Sequence, residues 1–405
     1  MRRETVQSRP EEENLGMLIS EDRIRAAILH PIGSVRAHAL EFWRGEHRLD
    51  PTVMPIVIEA ARKYGHAESF ALLRRADDLA QTAETLDWLM DELKQPLDLE
   101  NVDEDNYRFA VALILVHAEP ALLIPRHRAI LGLPGFPAQL AEALDNRLRF
   151  SLLEWPALWQ ELEDYGRRLL TEEAYSLKDH RFSNNLVEAM GRHREGADHV
   201  MQAIDLKVPE AKRDLAECLL PELLRVAGKM KLRSAIERLF YYLSQNDEGD
   251  ALLDACIFGL SDIGLDRVVE SVAMAWRTAS SDTRGAFCDV LDNIRSDCSF
   301  RWSVRLLEEA DDFEVALRLG TVVLDQFQTD GLSIAREIAL NAAQELEAEP
   351  DDFLGREVRD LRYDLVIMSH IAGIGFPELA AWQSAAEQDD YGWFGHTAVR
   401  IAENF

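Results

Sequence analysis

Val290-Leu-Asp-Asn-Ile294 recurs as Val323-Leu-Asp-Gln-Phe327, and Gly259-Leu-Ser-Asp-Ile263 holds a similar place upstream. The segments are 31 and 33 residues apart. Each closes a run whose apolar residues fall at helical spacing. Two of the runs open on a polar first turn, Ser281-Asp-Thr-Arg284 and Asp311-Asp-Phe-Glu314. Thirty-odd residues is room for two helices and their turns. Such a unit cannot bury its apolar face alone and does so by stacking on copies of itself.

Outward from this region the same grammar continues. Helices are expected at about 209–228, 232–245, 250–260, 265–279, 283–296, 300–309, 311–327, 331–348 and 353–372. Towards the N-terminus, Ser20-Glu-Asp-Arg23 is an N-cap with acids in the first turn, ahead of Ile24, Ala27 and Ile28. Pro31 ends that helix, and a second runs from Ser34 to Trp43. Asp50-Pro51, a cap with proline at the first helical position, opens a third from Val53 to Tyr64. No stretch alternates apolar and polar residues with β-branched enrichment, so strands are not expected. The apolar run Phe109 to Val116 continues into His117 and Glu119 and reads as a buried helix within 104–118.

Composition bounds the reading. Of 405 residues 47% are hydrophobic, enough for well-buried cores, so bulk disorder is excluded. The formal net charge is −29, which opposes general binding to phosphate backbones or anionic membranes. The charge is uneven: residues 121–240 hold 18 basic and 18 acidic side chains, whereas 241–405 hold 12 and 32. Cys218, Cys256, Cys288 and Cys298 show no paired spacing and read as free thiols in a reducing cytoplasm. The start, MRRETVQSRPEEENLGML, has no apolar stretch behind its basic residues and is not read as a signal peptide. Phe109 to Val116 is about half a membrane span.

His30-Pro-Ile-Gly-Ser-Val-Arg-Ala-His-Ala-Leu40 resembles the turn and second-helix start of a HEAT repeat, and the stretch from Leu252 to Ile294 is similar. Arg36 and Arg284 stand where that family carries its inter-repeat arginine. The resemblance implies an all-α, HEAT-like (armadillo-like) α-solenoid of stacked helical hairpins, with one face left for a partner protein. The expected organisation is a tail over 1–19, an N-terminal helical lobe over 20–175 and a C-terminal array over 176–405. The polar stretch from Glu172 to Asn185 marks the boundary.

The clearest candidate binding feature is basic. Arg225, Lys229 and Arg233 are four apart and would form one stripe if the helix continues past Gly228; Lys231 and Arg238 flank it. The stripe could dock an acidic partner or a phosphate, or pair with acids of neighbouring helices. His193-Arg-Glu-Gly-Ala-Asp-His199 brings two imidazoles and two acids together, but six apart rather than the four a helical zinc site uses. The Asp-Asp pairs starting at Asp77, Asp311, Asp351 and Asp389 lack a third Asp at magnesium-gathering spacing. Neither HExxH, nor a nucleophile elbow, nor a phosphate loop is present. The run Asp390-Tyr-Gly-Trp-Phe-Gly-His396 reads as a cap on the last repeat. The expectation is therefore a non-catalytic cytoplasmic scaffold or regulatory adaptor without cofactor or metal, whose acidic half steers a basic protein partner. The other reading is a nucleic-acid-binding solenoid, similar to HEAT-like DNA glycosylases, using the stripe at 225–238.

Overall fold

A computed structural model describes residues 17–43, 49–97, 103–171, 176–245, 251–310, 312–348 and 352–388. Nearly all of the expected tail, the start of the stretch from Glu172 and the terminal aromatic run Asp390–His396 lie outside the described residues. Among the described residues the chain is all-α. The only extended pairing there is an isolated bridge between Leu18 and Gln328.

The first helices are α1 (Glu21–Ala27), α2 (Gly33–Ala39), α3 (Val53–Leu73), α4 (Ala83–Glu92) and α5 (Glu104–His117). Inside α3, Gly65 takes φ 80°, a conformation that favours glycine. The resulting kink is the break expected after Tyr64. Thr82 and Asp103 cap α4 and α5 by accepting from first-turn N–H groups. The apolar run of α5 is buried at Val111, Ile114 and Leu115, as expected.

The middle holds α6 (Pro120–Leu123), α7 (His127–Leu131), α8 (Ala141–Ser151), α9 (Trp155–Leu169), α10 (Leu177–Met190), α11 (Ala197–Ile204), α12 (Arg213–Cys218), α13 (Leu220–Lys229) and α14 (Ile236–Leu243). The single helix expected over 209–228 is thus two, separated at Leu219. The last part is regular: α15 (Ala251–Ile263), α16 (Asp266–Ala275), α17 (Ser281–Asn293), α18 (Asp297–Glu308), α19 (Phe313–Asp325), α20 (Thr329–Ala348), α21 (Asp352–Ala372) and α22 (Leu379–Gln388). Ser280, Ser296 and Asp312 cap α17, α18 and α19. The three recurring sequence segments end α15, α17 and α19, and their Ile263, Ile294 and Phe327 are all buried.

One helix of each pair forms an inner series. In order, α2 packs on α3, then α5, α8, α10, α13, α15, α17, α19 and α21, each against the next. The series closes on itself, because α21 packs on α1 and α2. At this seam the Ile19 N–H donates to the Phe327 carbonyl at 2.8 Å and the Thr329 N–H to the Met17 carbonyl at 3.1 Å. Phe327 meets Phe42 edge-on at 5.3 Å between centroids. One apolar cluster accordingly joins residues 19–148 to residues 317–382, while a second spans 150–322. Helices α8 and α19 contribute to both clusters.

Arg36, fully buried, ties three segments together. It donates to the carbonyls of His30 and Pro31, both at 2.9 Å, and of Glu68 at 2.7 Å, and lies 4.1 Å from the Tyr64 ring centre. Arg284 donates likewise to the Trp276 carbonyl at 3.1 Å. Arg108 and Arg147, which the sequence reading did not single out, satisfy the carbonyls of Leu93 and of His117 and Ala118.

His38 sits at the same seam, 3.4 Å from the Asp325 carboxylate and stacked on Phe327. Burial alone would lower its pKa, but Asp325, Asp364 and Glu41 outweigh that and raise it. Arg75 partly offsets Glu41, which it pairs at 3.3 Å. A folded-state pKa above the unfolded value contributes stability that is complete below about pH 6.5 and disappears as pH rises through the folded value. The stability difference between the protein and His38→Phe should therefore shrink as urea unfolding is repeated from about pH 6 to about pH 9. A difference constant over that range would refute the pairing.

No described helix is long and apolar enough alone to cross a membrane; Glu104–His117 with Pro120–Leu131 passes on length and composition only as a pair bent by 109°.

Candidate functional site

Helices α10, α13 and α15, successive members of the series, each leave one stripe incompletely buried. On α10 it carries Arg181, Asn184 and Glu188; on α13, Arg225 and Lys229; on α15, Asp254, Phe258 and Asp262. The spacings of three and four put each set on one helix face. Neighbouring stripes are joined by polar contacts. Arg225 Nη2 donates to Asn184 Oδ1 at 2.5 Å, and Lys229 Nζ lies 2.9 Å from Glu188 and 3.1 Å from Asp262. Lys229 thus links three successive inner helices.

The basic residues at 225–238 are not one stripe. Helix α13 ends at Lys229, and the chain turns through Lys231, whose φ is 54°. The Leu232 N–H donates to Ala227 O at 3.0 Å and the Lys231 N–H to Gly228 O at 2.8 Å, the two bonds of a Schellman ending. A lysine thus occupies the left-handed position usually given to glycine, which is why the ending was invisible to a search for glycine. Arg233 follows in a short 3-10 turn, exposed. Arg238 belongs to α14 and pairs with Asp205 at 2.5 Å. Arg225 and Lys229 remain together on the inner face; Lys231, Arg233 and Arg238 do not join them.

Below Arg225, Glu222 is buried, its carboxyl 3.5 Å from the Tyr165 hydroxyl. Burial pushes the Glu222 pKa up, against the pull of Arg225 and Tyr165. Towards α5, a cavity of about 60 Å³ is lined by residues including Phe109, His117, His180, Arg181 and Asn184. It has room for a water or two, not for an organic cofactor. Burial, with Arg225 and Arg181, lowers the His180 pKa.

Beyond Lys229 the stripes turn acidic. Helix α15 exposes Asp254 and, at 46%, Phe258. Helix α17 presents Asp282, Asp289 and Asp292, and α19 presents Glu314, which pairs with Arg318 at 3.2 Å, whereas Asp325 is taken up by His38 at the seam. Between the two helices Arg318 reaches over Gly285, where an added Cβ would stand 2.9 Å from its Nη1. This part of the face can take a cationic partner with an apolar group for Phe258. The individual acids are spread over helices tens of residues apart, so only the bulk charge imbalance announced them.

The His193–His199 segment divides. His199 Nδ1 lies 3.2 Å from the Trp155 indole nitrogen, whereas His193 pairs with Glu195 at 2.8 Å and stands near Glu154. A second grouping that the sequence did not suggest joins Asp77 and Asp78 to His117. A scan against protein-family models and a search of curated proteins both find no match to this chain.

Proposed function

We propose that this protein is a non-catalytic, cytoplasmic scaffold or regulatory adaptor with a HEAT-like solenoid architecture, and that it holds a basic partner protein along the inner face of α15, α17 and α19. One observation supports the reading: α15, α17 and α19 pack in succession and carry Asp254, Asp262, Asp282, Asp289 and Glu314 at incompletely buried positions, with Phe258 46% exposed on α15. Clustered acids steer a cationic partner and speed its association, and an exposed aromatic supplies a desolvated anchor. Two further features agree with it. Arg225 and Lys229 already contact Asn184, Glu188 and Asp262, which weighs against their holding a nucleic-acid backbone. Cys256, Cys288 and Cys298 are buried free thiols, and burial, with Asp266 and Glu270, pushes Cys298 up to about 11, so they act as packing residues.

The test is fluorescence anisotropy with a labelled Lys/Arg-rich peptide and with a labelled DNA duplex, at about 50 and about 300 mM salt. The peptide is expected to bind and to weaken with salt. Asp254→Lys combined with Asp289→Lys should weaken it by about tenfold or more, because like charges meet at the interface. Peptide binding indifferent to these changes overturns the reading. So does duplex binding that disappears in Arg225→Glu with Lys229→Glu.

A further inference from the structure

Asp77 and Asp78 lie in the turn after α3, and His117 is the last residue of α5, forty residues later. The fold brings them together because α5 packs on both α3 and α4. His117 Nδ1 is buried and makes no hydrogen bond. It faces Asp77 Oδ2 at 3.7 Å and Asp78 Oδ1 at 4.0 Å, and the three donor atoms all lie within 4.8 Å of one another.

These separations are too long for hydrogen bonds. The two distances from His117 are no longer than two bonds of about 2.0–2.2 Å, the length zinc makes to imidazole nitrogen or carboxylate oxygen. We propose that Asp77, Asp78 and His117 form a three-ligand site for a divalent transition metal of the zinc class. A few tenths of an ångström of inward movement by Asp78, whose side chain is 54% exposed, brings all three donors to bonding distance. Asp77 and His117 are the less exposed pair, at 13% and 34%. The backbone of His117 is fixed from behind, since Arg147 Nη2 donates to its carbonyl at 2.6 Å.

The donor chemistry selects the ion. One imidazole with two carboxylates suits zinc and its neighbours, whereas magnesium prefers oxygen alone. Two carboxylates with a neutral imidazole give a charge of about −2, which Arg147 beside Asp78 offsets in part. Three protein ligands leave a coordination position open to water.

The experiment is titration of the chelator-treated full chain with zinc chloride against a chromophoric competitor, with native mass spectrometry for stoichiometry. One zinc per chain is expected at about pH 7.5. Magnesium chloride should not compete. His117→Asn should weaken zinc by more than about tenfold, and Asp78→Asn, a half-exposed change that leaves folding intact, should do likewise. No stoichiometric zinc overturns the proposal. So does zinc binding that survives both variants but is lost in His193→Asn, which would place the ion at Glu154, His193 and Glu195. Peptide binding in these variants reports on the acidic face independently, so failure here leaves the proposed function standing.

Discussion

Arg36→Met is expected to lower stability in urea unfolding by about 3 kcal/mol relative to the parent chain. Methionine keeps most of the buried volume and removes the three hydrogen bonds to His30, Pro31 and Glu68. Those carbonyls are part-buried, and each left unsatisfied costs up to about 1–3 kcal/mol, less whatever relaxation and solvent recover. The contact with the face of Tyr64 is lost too, although Tyr64 retains its own hydroxyl bond to Leu29 O at 2.6 Å. Arg36→Lys recovers only part of the loss, because an ammonium cannot reach three carbonyls from one planar fork. Equal stability of Met and parent would mean that the guanidinium is a passenger in this packing.

Gly228→Leu is the second large effect. A Cβ at Gly228 would stand 2.7 Å from the Gly259 Cα and 2.9 Å from the Gly259 carbonyl oxygen, so α13 and α15 touch backbone to backbone there. A leucine must push the helices apart, and neither backbone atom can rotate away. The expected loss is about 3 kcal/mol. Gly228→Ala moves stability the same way by less, although alanine in an exposed helix would gain about 1 kcal/mol over glycine. A stabilising Gly228→Ala, read by thermal or urea unfolding, would show that the helices do not pack as described. Because Lys229 adjoins this contact, Gly228→Leu should also loosen the link between Glu188 and Asp262.

Much of the fold was legible for local reasons. Ser280, Ser296 and Asp312 carry N-cap side chains, and the helices they open start within two or three residues of where the apolar periodicity placed them. Arg36 was singled out by its resemblance to an inter-repeat arginine, and its bonds to carbonyls explain why that position takes arginine. The seam was not legible. Ile24, Ile28 and Phe42 look like any amphipathic helix face, and nothing local says that their partners include Leu365 and Phe327. The candidate site was half legible. Charge counting located the acidic region, but the partners of Arg225 and Lys229 come from helices far away in sequence. Asp77 and Asp78 have no third aspartate near them in sequence; their third donor, His117, arrives by packing rather than by spacing.

The closure of the last inner helix on the first has a consequence for how the chain is made. Phe42 and Phe327 stand 285 residues apart in sequence yet share one core. At ribosomal rates of about 5–20 residues per second, the N-terminal helices wait about 15–60 s for the surface that buries them. During that interval α1 and α2 have α3 to pack on but neither α21 nor Phe327, so the nascent chain carries an uncovered apolar face that the finished protein does not.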